Sequence, residues 1–170
     1  LRIKLDAPLS PDEKVEIYME YIVELPQNID RFGYGEDVFN FGNWYPVLAV
    51  FDEKGWNLDP YYTLGDPFYS DIANYQVKIT TPKDIVVAAS GNILSEKIKG
   101  DKKTYTIEGK LIRDFAWAAS PDFKIKEVET EGTKIKIYSL KKDAAMEKFA
   151  AQVGMDVIEI FSRIFGKYPY

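Results

Sequence analysis

The chain has 170 residues, a formal net charge of −5, and neither cysteine nor histidine. Zinc sites almost always recruit imidazole or thiolate, and a Ser-His-Asp triad needs its histidine, so these residues cannot by themselves form a zinc centre or such a hydrolase. The acidic balance argues against a nucleic-acid-binding surface, and no apolar run is long enough to span a bilayer.

The first part of the chain predicts two strands and a connection. Residues 1–5 alternate apolar with basic side chains, which is the period of a half-buried strand. Residues 15–25 alternate over a longer distance, with apolar residues on one face and glutamates mostly on the other, so they predict a long antiparallel strand with one solvated face. Residues 26–36 contain two glycines and predict a connection.

An aromatic stretch follows. Residues 44–51 are apolar on both faces and predict a strand that is buried between two layers. Residues 52–55 predict a turn. Residues 56–71 show neither the helical nor the strand period and predict a long loop, which in a compact domain is usually functional or heavily packed.

From residue 72 to residue 139 the pattern predicts a meander of short antiparallel strands. Turn residues at Gly100-Asp101 and Glu131-Gly132 indicate two hairpins. The predicted strands begin at residue 72 and continue over residues 85–89, 93–99, 103–108, 111–119, 123–129 and 134–139. With the upstream strands they number about nine or ten, so the sequence predicts a mainly β fold, an antiparallel β-sandwich or saddle.

After residue 139 the pattern changes to that of one amphipathic α-helix. Its apolar residues recur at intervals of three and four: Met146, Phe149, Ala150, Val153, Val157, Ile160, Phe161 and Ile164. Ser139 or Asp143 can cap its start, and Gly166 followed by Pro169 ends it. One helix after a full set of strands suggests that a second domain begins here. We therefore divide the chain into a β-saddle domain over residues 1–139 and the truncated start of another domain over residues 140–170.

Acidic residues offer two candidate sites. Oxygen-bearing side chains surround a glycine at nearly alternate spacing: Asp52, Glu53, Asn57 and Asp59. This spacing does not match an EF-hand loop and Lys54 lies within it, so a solvated turn is favoured over a calcium site. Asp66 and Asp71 form a possible acid/base pair, but two acids in a polar loop are far more often solvated or capping groups.

A cluster of rings is the third candidate. Its members are Trp44, Tyr45, Trp56, Tyr61, Tyr62, Phe68 and Tyr69. Such rings either form a stacking platform for sugars or peptide side chains, or bury large areas and attach the long loop to the sheet. Packing is favoured for any single ring, while the patch as a whole can still line a cleft.

A set of short motifs runs along the chain, with Asn43-Trp44-Tyr45-Pro46 followed by Ala49-Val50-Phe51-Asp52 and Gly55-Trp56. Others are Arg31-Phe32-Gly33-Tyr34, Asp59-Pro60-Tyr61, Phe68-Tyr69-Ser70-Asp71, Tyr75-Gln76-Val77, Ala89-Ser90-Gly91, Arg113-Asp114-Phe115-Ala116-Trp117 and Phe165-Gly166-Lys167-Tyr168-Pro169-Tyr170. Together they resemble the N-terminal domain of the gluzincin zinc aminopeptidases, the family of alanyl aminopeptidases and leukotriene hydrolase, in a divergent bacterial branch. The resemblance covers nearly the whole chain.

The resemblance implies a β-saddle that caps a thermolysin-like catalytic domain and walls its substrate cleft. We therefore expect a non-catalytic part of a zinc-dependent enzyme that removes N-terminal amino acids from peptides. The zinc motif His-Glu-x-x-His and the exopeptidase motif Gly-x-Met-Glu-Asn are expected beyond Tyr170, and the first strands of the domain before Leu1. The chain itself is then expected to hold no cofactor, and its partners are the missing catalytic domain and the peptide substrate.

The resemblance also indicates a substrate-binding segment at Asn43, Trp44 and Tyr45. In such saddles a Gln or Glu typically reaches the free amine of the substrate, and related bacterial sequences place Gln before Trp-Tyr/Phe-Pro, where this chain has Asn43. The chain departs from the better-known branch, which reads Phe-Asp-Glu-Pro after an Ala-Arg pair, because it has Lys54 after Glu53 and lacks that Arg. The alternative is a free-standing β-sandwich module that binds glycans or peptides through the aromatic patch.

Overall fold

A computed structural model describes residues 1–60, 62, 64–65, 68–140 and 144–170. Within them the protein is mainly β, with 39% strand and 13% helix, so the predicted fold class is confirmed. The strands are β1 (Phe32–Gly35), β2 (Val38–Phe41), β3 (Phe51–Asp52), β4 (Gly55–Trp56), β5 (Ala73–Pro82), β6 (Val86–Ala89), β7 (Asn92–Lys99), β8 (Lys102–Ile112), β9 (Trp117–Ser120), β10 (Lys124–Thr130) and β11 (Thr133–Ser139). The helix is α1 (Ala144–Phe165).

The strands form two larger antiparallel sheets and two separate hairpins. One sheet has the order β1-β2-β9-β6 and the other the order β5-β8-β7, while β3 pairs with β4 and β10 with β11. The core draws side chains from both larger sheets: Ile79, Val87, Tyr105, Ile107 and Ala119, together with Phe115 from the connection between β8 and β9. Because one apolar cluster joins both sheets, they pack as the two layers of a sandwich.

The hairpins with strong turn residues are confirmed. Strands β7 and β8 meet around Gly100, and β10 and β11 meet around Glu131 and Gly132, both of which have positive φ. In the β10–β11 turn both central residues have positive φ, which is the type I′ geometry, whose twist matches that of the flanking strands.

The predicted connection over residues 26–36 is wrong in part, because β1 lies within it and pairs with β2. Gly35 pairs with Val38, so the turn consists of Glu36 and Asp37, with φ of 47° and 65°. This is again a type I′ turn, but it lacks the Asn-Gly or Asp-Gly pair that usually marks one.

Three predicted strands are not found as such. Residues 1–5 and 15–25 belong to no ladder, and most of their side chains are exposed. A strand needs a partner for its backbone groups, and no described strand pairs with these residues. The predicted buried strand over residues 44–51 reduces to Phe51 in β3, and Val47 and Leu48 are exposed. Pro46 lacks the N–H that a central strand must donate.

The predicted strand over residues 111–119 is interrupted. Strand β8 ends at Ile112 and β9 begins at Trp117, with Phe115 fully buried between them. Leu111 has a φ of 53° and lies at an irregularity near the end of β8, where the pairing with β5 shifts from Tyr75–Gly109 to Ala73–Ile112. The turn over residues 52–55 is confirmed, and after Trp56 the described residues up to β5 form neither helix nor strand, as predicted.

Helix α1 is confirmed and packs on the β10–β11 hairpin. Ala151 is buried, and a Cβ placed on Gly154 would lie 3.3 Å from Ile135 Cγ2, so the small residue allows the close approach. The helix ends at Gly166, whose N–H donates to the Ser162 carbonyl at 3.1 Å. Ser139 does not cap α1 but donates its hydroxyl to Glu147 Oε1, and the other predicted cap, Asp143, lies outside the described residues. Within the described part of the chain, α1 is too polar to cross a membrane.

Candidate functional site

Trp44 is held inside the domain by a hydrogen bond and by ring contacts. Its indole N–H donates to the carbonyl of Phe115 at 3.0 Å, and its ring meets the ring of Trp117 edge to face, with centroids 6.3 Å apart. Because Phe115 is fully buried, this contact anchors the segment that follows β2 to the centre of the sandwich. The polar atom of Trp44 is thus used within the protein.

Tyr45 belongs to a small cluster of polar groups. Its hydroxyl oxygen lies 2.8 Å from the hydroxyl of Tyr75 and 3.2 Å from Oδ1 of Asp114. Tyr45 is the donor in both contacts and shares its one proton between the two oxygens, while the Tyr75 hydroxyl donates in turn to the Arg113 carbonyl at 3.4 Å. Burial raises the pKa of Tyr45 well above its ordinary value, and the Tyr75 hydroxyl and the Asp114 charge raise it further. Tyr45 therefore stays neutral and serves as a second anchor.

Asn43 differs from its two neighbours. It is half-buried and has a φ of 54°, a left-handed conformation that Asn tolerates better than most residues. Among the residues that the structure describes, none hydrogen-bonds its side chain. Within the described ranges, the donors and the acceptor of the Asn43 amide therefore have no protein partner, in contrast to the polar atoms of Trp44 and Tyr45.

The predicted aromatic patch divides by burial. Trp44 and Tyr45 pack against the core, whereas Trp56 remains 55% exposed and meets Phe51, which is 65% exposed, edge to face at 5.1 Å. Tyr62 and Tyr69 are exposed, and the Arg31 guanidinium lies 5.1 Å from the centre of the Phe68 ring. Tyr61 lies outside the described residues.

The acidic candidates lie at the surface. Asp52 accepts a hydrogen bond from the Lys54 N–H at 2.8 Å, and the Asn57 amide donates to Asp59 at 3.4 Å. The described residues include no group of three or more acidic, histidine or cysteine side chains arranged to hold a metal ion. Asp71 is exposed, and its proposed partner Asp66 lies outside the described residues.

The connection between β8 and β9 completes the site in a way that the sequence reading missed. Leu111 is held in its left-handed conformation from both sides, because its N–H donates to Asn74 Oδ1 at 2.9 Å and its carbonyl accepts from the Tyr170 hydroxyl at 2.8 Å. This bend brings Asp114 and Phe115 to Tyr45 and Trp44. No spacing in the sequence indicates these contacts, since 69 residues separate Tyr45 from Asp114.

A shallow cavity of about 580 Å³ lies elsewhere, on the β1-β2-β9-β6 sheet. Asn40, Ala118 and Ala88 pair across this sheet and contribute to its lining. Arg31 and Tyr138 also line it, whereas Asn43, Trp44 and Tyr45 do not. Its described lining mixes small residues with Trp117 and includes one carboxylate, that of Asp30, with no second acid beside it.

Comparisons with known proteins do not assign the chain. No protein-family model matches the sequence, and a search of curated proteins returns no match.

Proposed function

We propose that this chain is a non-catalytic part of a zinc-dependent aminopeptidase, in which the β domain over residues 1–139 caps and walls the substrate cleft. Residues 140–170 are the first helix and the entrance of the peptidase domain. The proposal rests on the motifs that resemble such enzymes and on one structural observation, the anchored segment that presents Asn43.

The residues of this chain do not fit zinc. The chain has no histidine and no cysteine, and its described residues hold no group of metal-ligating side chains. Zinc and the residues that use it therefore belong to the peptidase domain, and no chemical step is assigned to this chain. Its contribution is to orient the substrate. A rigid wall that holds the substrate in the reactive geometry raises the rate.

Asn43 is the group that we assign to the substrate. The ammonium of a peptide N-terminus offers three hydrogen-bond donors, and the amide oxygen of Asn43 can accept one of them. A hydrogen bond to a charged group is worth about 1.5–3 kcal/mol, which corresponds to roughly a 10- to 150-fold effect on binding. Trp44 and Tyr45 are positioning residues, because their polar atoms are bonded within the protein.

Two measurements test the proposal. The coding sequence that continues after Tyr170 should contain His-Glu-x-x-His, and a stop codon at that point would contradict the assignment. The purified 170-residue chain, supplied with zinc and an aminoacyl-amide substrate, should release no amino acid. Zinc-dependent release by this chain would show that the chemistry resides within it, against the proposal.

A second candidate is a free-standing module that binds glycans or peptides, and the exposed Phe51 and Trp56 pair on the β3–β4 hairpin favours it. Exposed rings offer stacking area at low entropic cost. Titration with oligosaccharides and with unstructured peptides, followed by tryptophan fluorescence, tests this function. Saturable binding that Trp56→Ala abolishes supports the module, and a flat titration contradicts it.

A further inference from the structure

Helix α1 carries apolar residues on two adjoining faces. Its inner face, which packs on the β10–β11 hairpin, consists mainly of small or half-buried residues such as Ala151, Gly154 and Ile158. Its outer face is formed by six larger side chains that are each between 41% and 66% exposed: Phe149, Val153, Val157, Ile160, Phe161 and Ile164. Thus the larger apolar groups lie beside the contact with the hairpin and remain exposed.

The outer face is larger than scattered surface residues explain. Helical geometry places no charged residue of α1 between these six side chains. From the usual areas of such side chains and their exposed fractions, the outer face with the neighbouring Phe165 exposes roughly 700 Å². The largest apolar patch on a typical monomer is about 300–600 Å² and often functional, so this face is suited to a partner.

We propose that the outer face of α1 binds the outer face of a second copy of this chain. Two copies could together bury at most roughly 1,400 Å², and this maximum lies within the range of about 1,200–2,000 Å² for stable specific interfaces. A two-fold interface requires a patch that is complementary to itself, and an uncharged stripe of aliphatic and aromatic side chains meets this condition.

The spacing of the outer face indicates an antiparallel pair. Val153 and Val157 lie two residues on either side of Met155, and Phe149 and Phe161 lie six residues on either side. With a two-fold axis at the level of Met155, Val153 of one helix meets Val157 of the other and Phe149 meets Phe161, while Ile160 and Ile164 lie at the levels of Ala150 and Met146. This arrangement also opposes the two helix dipoles.

The pairing goes beyond the proposed function. The two proposals hold together where the peptidase domain packs on other parts of residues 140–170 and leaves the outer face of α1 free. The pairing is measured on the 170-residue chain, whereas the function is measured on the longer protein, so the failure of one is distinguishable from the failure of the other.

Sedimentation velocity over about 1–100 μM tests the pairing, and we expect its dissociation constant to fall in this range, which corresponds to about −5.5 to −8 kcal/mol of binding free energy. The 19.5 kDa chain should sediment with twice its mass as concentration rises. Val157→Lys places a charge in the interface and should weaken association about 100-fold or more. Gln152→Lys adds the same charge at an exposed residue outside the outer face. This variant should change the dissociation constant of the pair by less than about threefold.

Either of two results overturns the proposal. One is a chain that stays monomeric over this range, and the other is a dimer that persists in Val157→Lys, which would place the contact on another surface such as residues 15–25. Because Val157 is exposed in the monomer, Val157→Lys should keep the wild-type circular dichroism spectrum and melting temperature at concentrations where the chain is monomeric.

The orientation is tested with single cysteines, since the chain has none. In the antiparallel pair the two copies of Val157→Cys lie near the two-fold axis and should be joined by a short thiol crosslinker. The two copies of Ile164→Cys lie about 27 Å apart along the helix axis and should not. Crosslinking of Ile164→Cys at the same rate would refute the antiparallel arrangement.

Discussion

The hydroxyl of Tyr45 provides a sharp test of the anchored segment. Tyr45→Phe keeps the ring contact with Tyr75, whose centroid lies 5.8 Å away, and removes the hydrogen bonds to Tyr75 and to Asp114. Hydrogen bonds to charged groups are worth about 1.5–3 kcal/mol and neutral ones about 1 kcal/mol. Tyr45, Tyr75 and Asp114 are only half-buried, so the full sum of these values does not apply. We therefore expect a loss of about 1–2 kcal/mol in the free energy of unfolding at pH 7.

The same substitution should change how stability depends on alkaline pH. Tyr45 ionises near pH 10 in the unfolded chain, and the folded state raises its pKa. Its stabilising contribution is therefore fully present below pH 10 and is lost as pH rises through the folded pKa. Tyr45→Phe should reduce this alkaline loss but not abolish it, because burial also raises the pKa of Tyr138.

Urea unfolding followed by tryptophan fluorescence, at pH 7 and at intervals above pH 9, measures both effects. Tyr62→Phe is the matched control, because Tyr62 is 57% exposed, and it should change the free energy of unfolding by less than about 0.5 kcal/mol. If Tyr45→Phe unfolds like the control at pH 7 and keeps the full alkaline decline, Tyr45 is not an anchor and the reasoning about the site is refuted.

Two further substitutions test the packing and the bend beside the site. Phe115→Ala removes a side chain with no exposed surface and should lower the free energy of unfolding by about 3–5 kcal/mol, measured with urea. Trp56→Ala at the exposed β3–β4 hairpin should lower it far less. Equal losses in the two variants would contradict the assigned core. Leu111→Gly removes a side chain that is 63% exposed from a left-handed position and should raise the free energy of unfolding by about 0.5–1 kcal/mol, measured by thermal melting. A lower melting temperature for Leu111→Gly would show that the Leu111 side chain stabilises the bend.

Local chemistry predicted the elements whose information lies in adjacent residues. The β7–β8 and β10–β11 hairpins have glycine in their turns, and α1 has a helical period and a glycine that ends it. The β1–β2 hairpin was missed because its type I′ turn consists of Glu36 and Asp37 and has no glycine, so it does not match the Asn-Gly or Asp-Gly pair that marks such turns. Here tertiary pairing overrides the weak turn preference.

Other errors arise because a sequence pattern does not reveal partners. Alternation over residues 15–25 shows how side chains would divide between two faces, but it does not supply a neighbouring strand. For the site, the resemblance indicated Asn43, Trp44 and Tyr45, whereas the groups that anchor them come from distant parts of the chain. The 30 residues between Tyr45 and Tyr75 and the 71 between Trp44 and Phe115 carry no pattern that indicates contact.

The most direct test of the proposed function is the kinetics of Asn43→Ala in the longer protein that this proposal predicts, a zinc aminopeptidase that would contain residues 1–170. If Asn43 binds the ammonium of the substrate, KM for a peptide with a free N-terminus should rise at least about tenfold while kcat changes little, because a ground-state contact is lost. Asn57→Ala, which removes an amide from the β3–β4 region, should leave both constants unchanged. An unchanged KM in Asn43→Ala would contradict the assignment of this segment to the substrate.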